Sequence, residues 1–145
     1  MHHNSYLAAM CRETQDVNAL FNLLGARLIS ATNGEARIEL PVSSRLTQGA
    51  GAVAGGVLST LADEAMAHAV ISLLDNGSST VTTEMNIRFL RGADTEKGTL
   101  IATARIVKSG RTLMTVEADV RDDAGRLLAT AGGSFLVINA KKVTL

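Results

Sequence analysis

One stretch of this chain is both long enough and free enough of breakers to form a substantial helix. From Val57 to Leu74 there is neither glycine nor proline, a run of about five turns that ends before Asp75-Asn76-Gly77. At about 100° per residue Leu58, Leu61, Ala62, Ala65, Met66, Ala69 and Leu73 share one arc, with Thr60, Glu64 and Ala67 opposite and Asp63 at the margin. After Gly77 the pattern turns β-like. Segments near 79–90, 99–108, 112–121 and 126–138 are separated by Gly98, Ser109-Gly110 and Asp123-Ala124-Gly125, which predicts a meander of four long strands. One long helix followed by strands is an α+β pattern. Strands of about 10 to 12 residues, roughly 35 Å, are long enough to curl around the helix, and Ala62, Ala65 and Ala69 would let the sheet come close. The expected architecture is a curved antiparallel β-sheet wrapped around one long central helix.

Upstream, Val17, Leu20, Phe21 and Leu24 fall at helical spacing between Thr14, a candidate cap, and Gly25, a candidate stop. Residues 26–42 read as two strands meeting at Asn33-Gly34, a dipeptide suited to the positive φ angles of a tight hairpin. Pro41, the only proline, fits a strand end. No linker or repeat interrupts the chain, so residues 1–145 are expected to form a single domain.

Charge and composition exclude several functions. Fourteen basic and fourteen acidic residues give no net field to grip nucleic acid or an anionic membrane. Four aromatic residues and no Trp leave little with which to stack bases. A lone Cys11 and three scattered histidines offer no disulfide and no metal cluster, so neither metal nor cofactor is expected. Polar residues from Arg12 to Asn18 interrupt any secretory h-region, and Asp63, Glu64 and His68 interrupt the apolar stretch 53–74, so a cytoplasmic protein without a membrane span is expected.

The chemistry-bearing candidates surround the long helix. Gly49, Gly51, Gly55 and Gly56 lead into it, and their amides could meet an anion or oxyanion, or the glycines could only relieve crowding. Gly49-x-Gly51-x-x-Ala54 also satisfies a relaxed dinucleotide fingerprint, but no alternating strand and helix units follow it, which argues against a nicotinamide or flavin oxidoreductase. A carboxylate at Asp63, beside the apolar arc, could serve as base or nucleophile. Glu64 fits a solvated helix carboxylate better, and His68 reads as a partly exposed residue outside the site.

The stretch Gln48-Gly-Ala-Gly-Ala-Val-Ala-Gly-Gly-Val-Leu-Ser-Thr-Leu-Ala-Asp63, with Val81-Thr-Thr-Glu-Met-Asn-Ile-Arg-Phe-Leu-Arg91 and Val107-Lys-Ser-Gly-Arg-Thr112, resembles the hotdog-fold acyl-CoA thioesterases, specifically the phenylacetate-degradation (PaaI-like) branch. In that family an Asn or Gln precedes a His-Gly-Gly step by six residues and an Asp or Glu follows the His by nine. Gln48, Gly55-Gly56 and Asp63 keep those spacings. The resemblance implies hydrolysis of a small, aryl or medium-chain acyl-CoA without a cofactor, in a homodimer or homotetramer. It implies that the Gly55 amide polarises the thioester carbonyl and that Asp63 of the facing subunit acts as general base or nucleophile. It further implies that Gln48 orients substrate or water, that Thr82 lies near that water, and that Gly56, Arg91, Lys108, Ser109, Gly110, Arg111 and Thr112 hold the substrate. Ala54 departs from the pattern where the family has histidine, which keeps a non-catalytic acyl-CoA-binding protein as the alternative.

Overall fold

The structure, a computed structural model, describes residues 4–140. Helix α1, Ser5–Met10, starts at Asn4, whose side chain accepts from the amides of Tyr6 and Leu7. Six residues are too few to carry a periodic signal, and the sequence pattern does not mark this helix. Helix α2, Ala19–Leu24, is capped by Asn18 rather than Thr14 and ends at Gly25 with φ 79°, the left-handed stop that the sequence marks. The expected first turn from Thr14 does not form because the Gln15 carboxamide accepts from the amides of Val17 and Asn18 and makes a turn of its own.

Strands β1, Arg27–Thr32, and β2, Glu35–Pro41, meet at Asn33 (φ 52°) and Gly34 (φ 80°), the two positive angles that a type I′ turn requires. The turn is tied to the far end of the long helix, since the Gly34 amide donates to Ser72 Oγ at 2.8 Å. That helix, α3, spans Gly55–Ile71, beginning two residues earlier than the sequence pattern predicts. The predicted arc is buried from Leu58 to Ala69, whereas Leu73 lies beyond the helix and is exposed.

The remaining strands are β3, Ser78–Phe89, β4, Thr99–Lys108, β5, Leu113–Asp122, and β6, Leu127–Asn139, all close to their predicted limits. They join β1 and β2 in one antiparallel sheet of order β1-β2-β4-β5-β6-β3. The expected four-strand meander is therefore corrected: β4, β5 and β6 are sequential neighbours, but β3 pairs with β6. The long Leu90–Gly98 connection frees β3 from its successor, and eleven residue pairs in register with β6 place it at the sheet edge.

The sheet curls over α3. Ile38, Leu40, Leu100, Val116, Val120, Leu128 and Phe135 pack with Leu61, Ala62, Ala65, Met66 and Ala69 in one core. Each fully buried Leu, Ile or Phe contributes about 2 to 3 kcal/mol relative to exposure. Among the described residues no helix is long and apolar enough to cross a membrane, and no three His, Cys, Asp or Glu side chains are placed to hold a metal ion.

The two sheet edges differ. Strand β1 is six residues long and bulged between Leu28 and Ser30, features that blunt an edge. Strand β3 is twice that length, exposed along much of its course, and shows Val81 and Phe89 to solvent.

Candidate active site

Asp63 sits in the middle of α3, half-buried, on the side that meets β3. Its Oδ1 accepts a hydrogen bond of 2.7 Å from Thr82 Oγ1. Thr82 reaches inward because of a bulge. It pairs with Phe135, a fully buried core residue, while the ladder resumes with Glu84 opposite Ser134, so Thr83 is the extra residue. In an unbroken strand residues 82 and 84 would share a face. The bulge turns Thr82 to the helix and lets the Glu84 carboxylate accept instead from Ser134 Oγ at 2.9 Å. A hydroxyl donating to one carboxylate oxygen fixes the carboxylate plane and leaves the second oxygen to accept a proton or meet an electrophile.

At the other end of the site α3 opens on Ala54, which has no side-chain oxygen to cap the helix. The first helical bonds to this turn come from Val57 and Leu58 to the Ala54 carbonyl. The Gly55 and Gly56 amides lie ahead of them, at the positive end of the helix, without an intrahelical acceptor. Gly55 lies close under the Phe89 ring: a Cβ there would sit 3.2 Å from the ring tip, and the exposed ring would have to shift slightly. Gly56 has open space in the same position.

Gln48 lies in the preceding loop, exposed. Its amide donates to the Ala52 carbonyl, its carbonyl accepts from Gly51, and its side-chain Oε1 accepts from the Ala50 amide. The carboxamide oxygen is thus used within the loop, and the terminal NH₂ is the group with donors to spare. These bonds hold Gln48 in the 48–52 turn ahead of α3, and none of them reaches Asp63.

Of the predicted substrate-binding residues, Gly56 lies in the first turn of α3, Gly110 is half-buried, and the others are exposed at strand ends. Arg91 follows β3, Lys108 ends β4, and Ser109, Arg111 and Thr112 lie on the β4–β5 turn. Gly110 is fixed by sterics, since a Cβ there would lie 2.3 Å from the Leu113 carbonyl oxygen.

Two sequence readings are corrected here. His68 is 1% exposed, not partly exposed, and Glu64 is not a freely solvated carboxylate, with a side chain 22% exposed. Both lie under α1 and the α2 cap, a cover that the periodicity of α3 cannot reveal. Burial, then the Asp63 charge, pushes the Glu64 pKa up to about 7 against a hydrogen bond from Asn18. Burial lowers His68 to about 4 against its hydrogen bond to the Glu64 carbonyl. The 3.7 Å contact between His68 Nδ1 and Glu64 Oε2 is accordingly not an ion pair at neutral pH, because the imidazole is neutral.

Comparison with known proteins bears on the fold and the family. The family profile described as thioesterase superfamily matches residues 50–129, more than half of the chain. Human acyl-coenzyme A thioesterase 13 is 31% identical over 103 residues, covering 70% of this chain and 72% of that protein. The PaaI protein from the phenylacetic acid degradation operon of Escherichia coli superposes with a TM-score of 0.78 at 28% identity, covering 84% of this chain and 86% of that one. Protein smu.793 of Streptococcus mutans, solved bound to acetyl-CoA, superposes with a TM-score of 0.70 at 25% identity, covering 77% and 87%. With a helix wrapped by a six-stranded antiparallel sheet and a matching profile across its centre, this chain belongs to the thioesterase superfamily, as a hotdog-fold thioester hydrolase of PaaI-like type.

Proposed function

We propose that the protein hydrolyses a small, aryl or medium-chain acyl-CoA to the free acid and CoA, with Asp63 as general base or nucleophile. The observation that carries this reading is the Asp63 carboxylate, held by Thr82 beside an open sheet edge in a chain of the thioesterase superfamily. As base, Asp63 takes a proton from water as the water oxygen attacks the thioester carbonyl. As nucleophile, its free oxygen forms an anhydride that water then opens. On either route negative charge develops on the carbonyl oxygen, and an amide such as that of Gly55 is worth about 3 to 4 kcal/mol there. The C–S bond then breaks, and the CoA sulfur leaves with the electron pair and takes up a proton.

Gly55 and Asp63 are eight residues apart on one helix, about 12 Å by the rise per residue, too far to act on one carbonyl. A second copy of the chain resolves this by bringing its Asp63 to the first copy's Gly55, and the long exposed β3 edge is the surface on which two copies would pair. The active form is thus a homodimer, alone or doubled into a tetramer, in which each 1–145 hotdog unit supplies half of two sites. Gln48 orients substrate or water from the helix entry. Gly56 and Arg91 of one copy and the Lys108, Ser109, Gly110, Arg111 and Thr112 turn of the second copy hold the CoA moiety, because the register places Arg91 and that turn at opposite ends of one sheet, and they act as local charge in a protein of zero net charge. Binding of acetyl-CoA by the streptococcal neighbour supports a CoA ligand. A cytoplasmic setting belongs to the same reading.

Ala54 takes the place of a polar ring, and the Ala54→His variant should raise turnover. The test is a panel of short, medium, long and aryl acyl-CoAs read by free thiol. Turnover of one class above the rest is expected, and tight binding of acyl-CoA with no thiol released from any would reject hydrolysis in favour of binding alone.

A further inference from the structure

Glu64 follows Asp63 and leaves α3 about 100° further round, toward α1 and the α2 cap instead of β3. A hydrogen-bonded chain closes over that side. Asn18 Nδ2 donates to Tyr6 Oη at 3.0 Å, Tyr6 Oη donates to His68 Nε2 at 3.1 Å, and His68 Nδ1 donates to the Glu64 carbonyl at 2.7 Å. The direction is set by chemistry: a carbonyl only accepts, so Nδ1 carries the proton of the neutral ring and Nε2 must accept. The rings of Tyr6 and Phe21 pack on the imidazole at centroid distances of 5.7 and 5.3 Å. Helix α1 is itself pinned, with Ser5 donating from its amide to Asn76 Oδ1 at 3.0 Å. The chemistry proposed for the thioester uses none of these groups, yet they converge on the turn that carries Asp63.

Resting on the thioesterase reading, we propose that this buried cluster is a positioning device for Asp63: the Asn18, Tyr6 and His68 chain fixes its helical turn, and Glu64 is the neighbouring charge that sets the pH range in which Asp63 works. The groups facing Glu64 are Asp63 and His68 on its own helix, Tyr6 from α1 and Asn18 from the α2 cap. The sheet presents Thr82 to Asp63, and its strands supply α3 with the apolar core side chains. His68 stays neutral above about pH 4, so Glu64, titrating at about 7, is the member of the cluster whose charge changes near neutrality. Its ionisation places a second negative charge on the turn that carries Asp63, which favours proton uptake there as water attacks.

The experiment compares pH profiles of kcat and KM for wild type, Glu64→Gln and Tyr6→Phe on the best acyl-CoA, with carboxyl ¹³C NMR of the same proteins. Wild-type kcat should rise about threefold to tenfold through pH 7, and Glu64→Gln should hold the acid-limb value at all pH with KM unchanged. Tyr6→Phe, which loses only the hydroxyl, should lower kcat about threefold to tenfold at temperatures where it is fully folded, again without a change in KM. The Asp63 carboxyl signal, identified by its loss in Asp63→Asn, should show a second titration step near pH 7 that is absent in Glu64→Gln. Overturning results are a wild-type profile in Glu64→Gln, an Asp63 signal with no such step, or a Tyr6→Phe protein that melts earlier but turns over normally. A wild type without turnover would remove the thioesterase reading, while the NMR step would still decide the coupling.

Discussion

Thr82 Oγ1 is a single hydroxyl, and removing it tests how much the orientation of Asp63 matters. Thr82→Val keeps the β-branched shape and the strand register, so the fold should persist while the 2.7 Å bond to Asp63 is lost. A fall in kcat of about tenfold, with Thr82→Ser close to wild type, is expected from steady-state assays. The Glu64 and His68 pair makes a second residue-scale prediction. With Glu64 raised from 4.5 to about 7 and His68 lowered from 6.5 to about 4, the unfolded chain at intermediate pH holds its proton on imidazole, and the folded protein holds it on the carboxyl. Between 4.5 and 6.5 folded and unfolded states bind equally many protons here, so this pair contributes no slope. Above 6.5 the folded state binds more, and its stability falls as pH rises through about 7. Thermal melts of Glu64→Gln should lose that fall. They should also uncover the His68 contribution, in which the unfolded state binds more protons and stability rises with pH from about 4 to 6.5.

At the scale of elements, the β4–β5 turn carries the charge that the whole chain lacks. Replacing Lys108 and Arg111 by Ala should raise KM for acyl-CoA most at low salt and make KM less sensitive to added salt than in wild type, while leaving turnover of a truncated thioester without the nucleotide unchanged. Equal loss on both substrates would remove these residues from the CoA site. Local signals made some elements legible: Asn33-Gly34 demanded a hairpin, Gly25 a helix end, and the breaker-free run to Leu74 the central helix. Asp63 was also readable, because a carboxylate at the margin of an apolar arc must lie at a packing boundary. What stayed hidden depends on contacts distant in sequence. That β3 pairs with β6, that the bulge at Thr83 turns Thr82 toward Asp63, and that α1 buries His68 and Glu64 are all settled by partners dozens of residues away. Glu64 read as solvated because its own helix gives it no cover.

At the scale of the whole molecule, the proposed shared site needs a second copy. One helix separates its own Gly55 and Asp63 by about 12 Å, and the β3 edge is long, exposed and partly apolar. Light scattering at micromolar concentration should give at least a dimer. Placing a charge on that edge with Val81→Lys should shift the protein toward monomer and lower turnover in parallel. A wild-type monomer with full activity would contradict the shared site. The most direct measurement is kcat for Asp63→Asn against wild type on the best acyl-CoA, read as free thiol, with Glu117→Gln, an exposed carboxylate of β5, as control. Asp63→Asn keeps the shape and removes the basicity, so kcat should fall by roughly 10² to 10⁴ with little change in substrate binding, while Glu117→Gln stays at the wild-type rate. Wild-type turnover in Asp63→Asn would contradict the account.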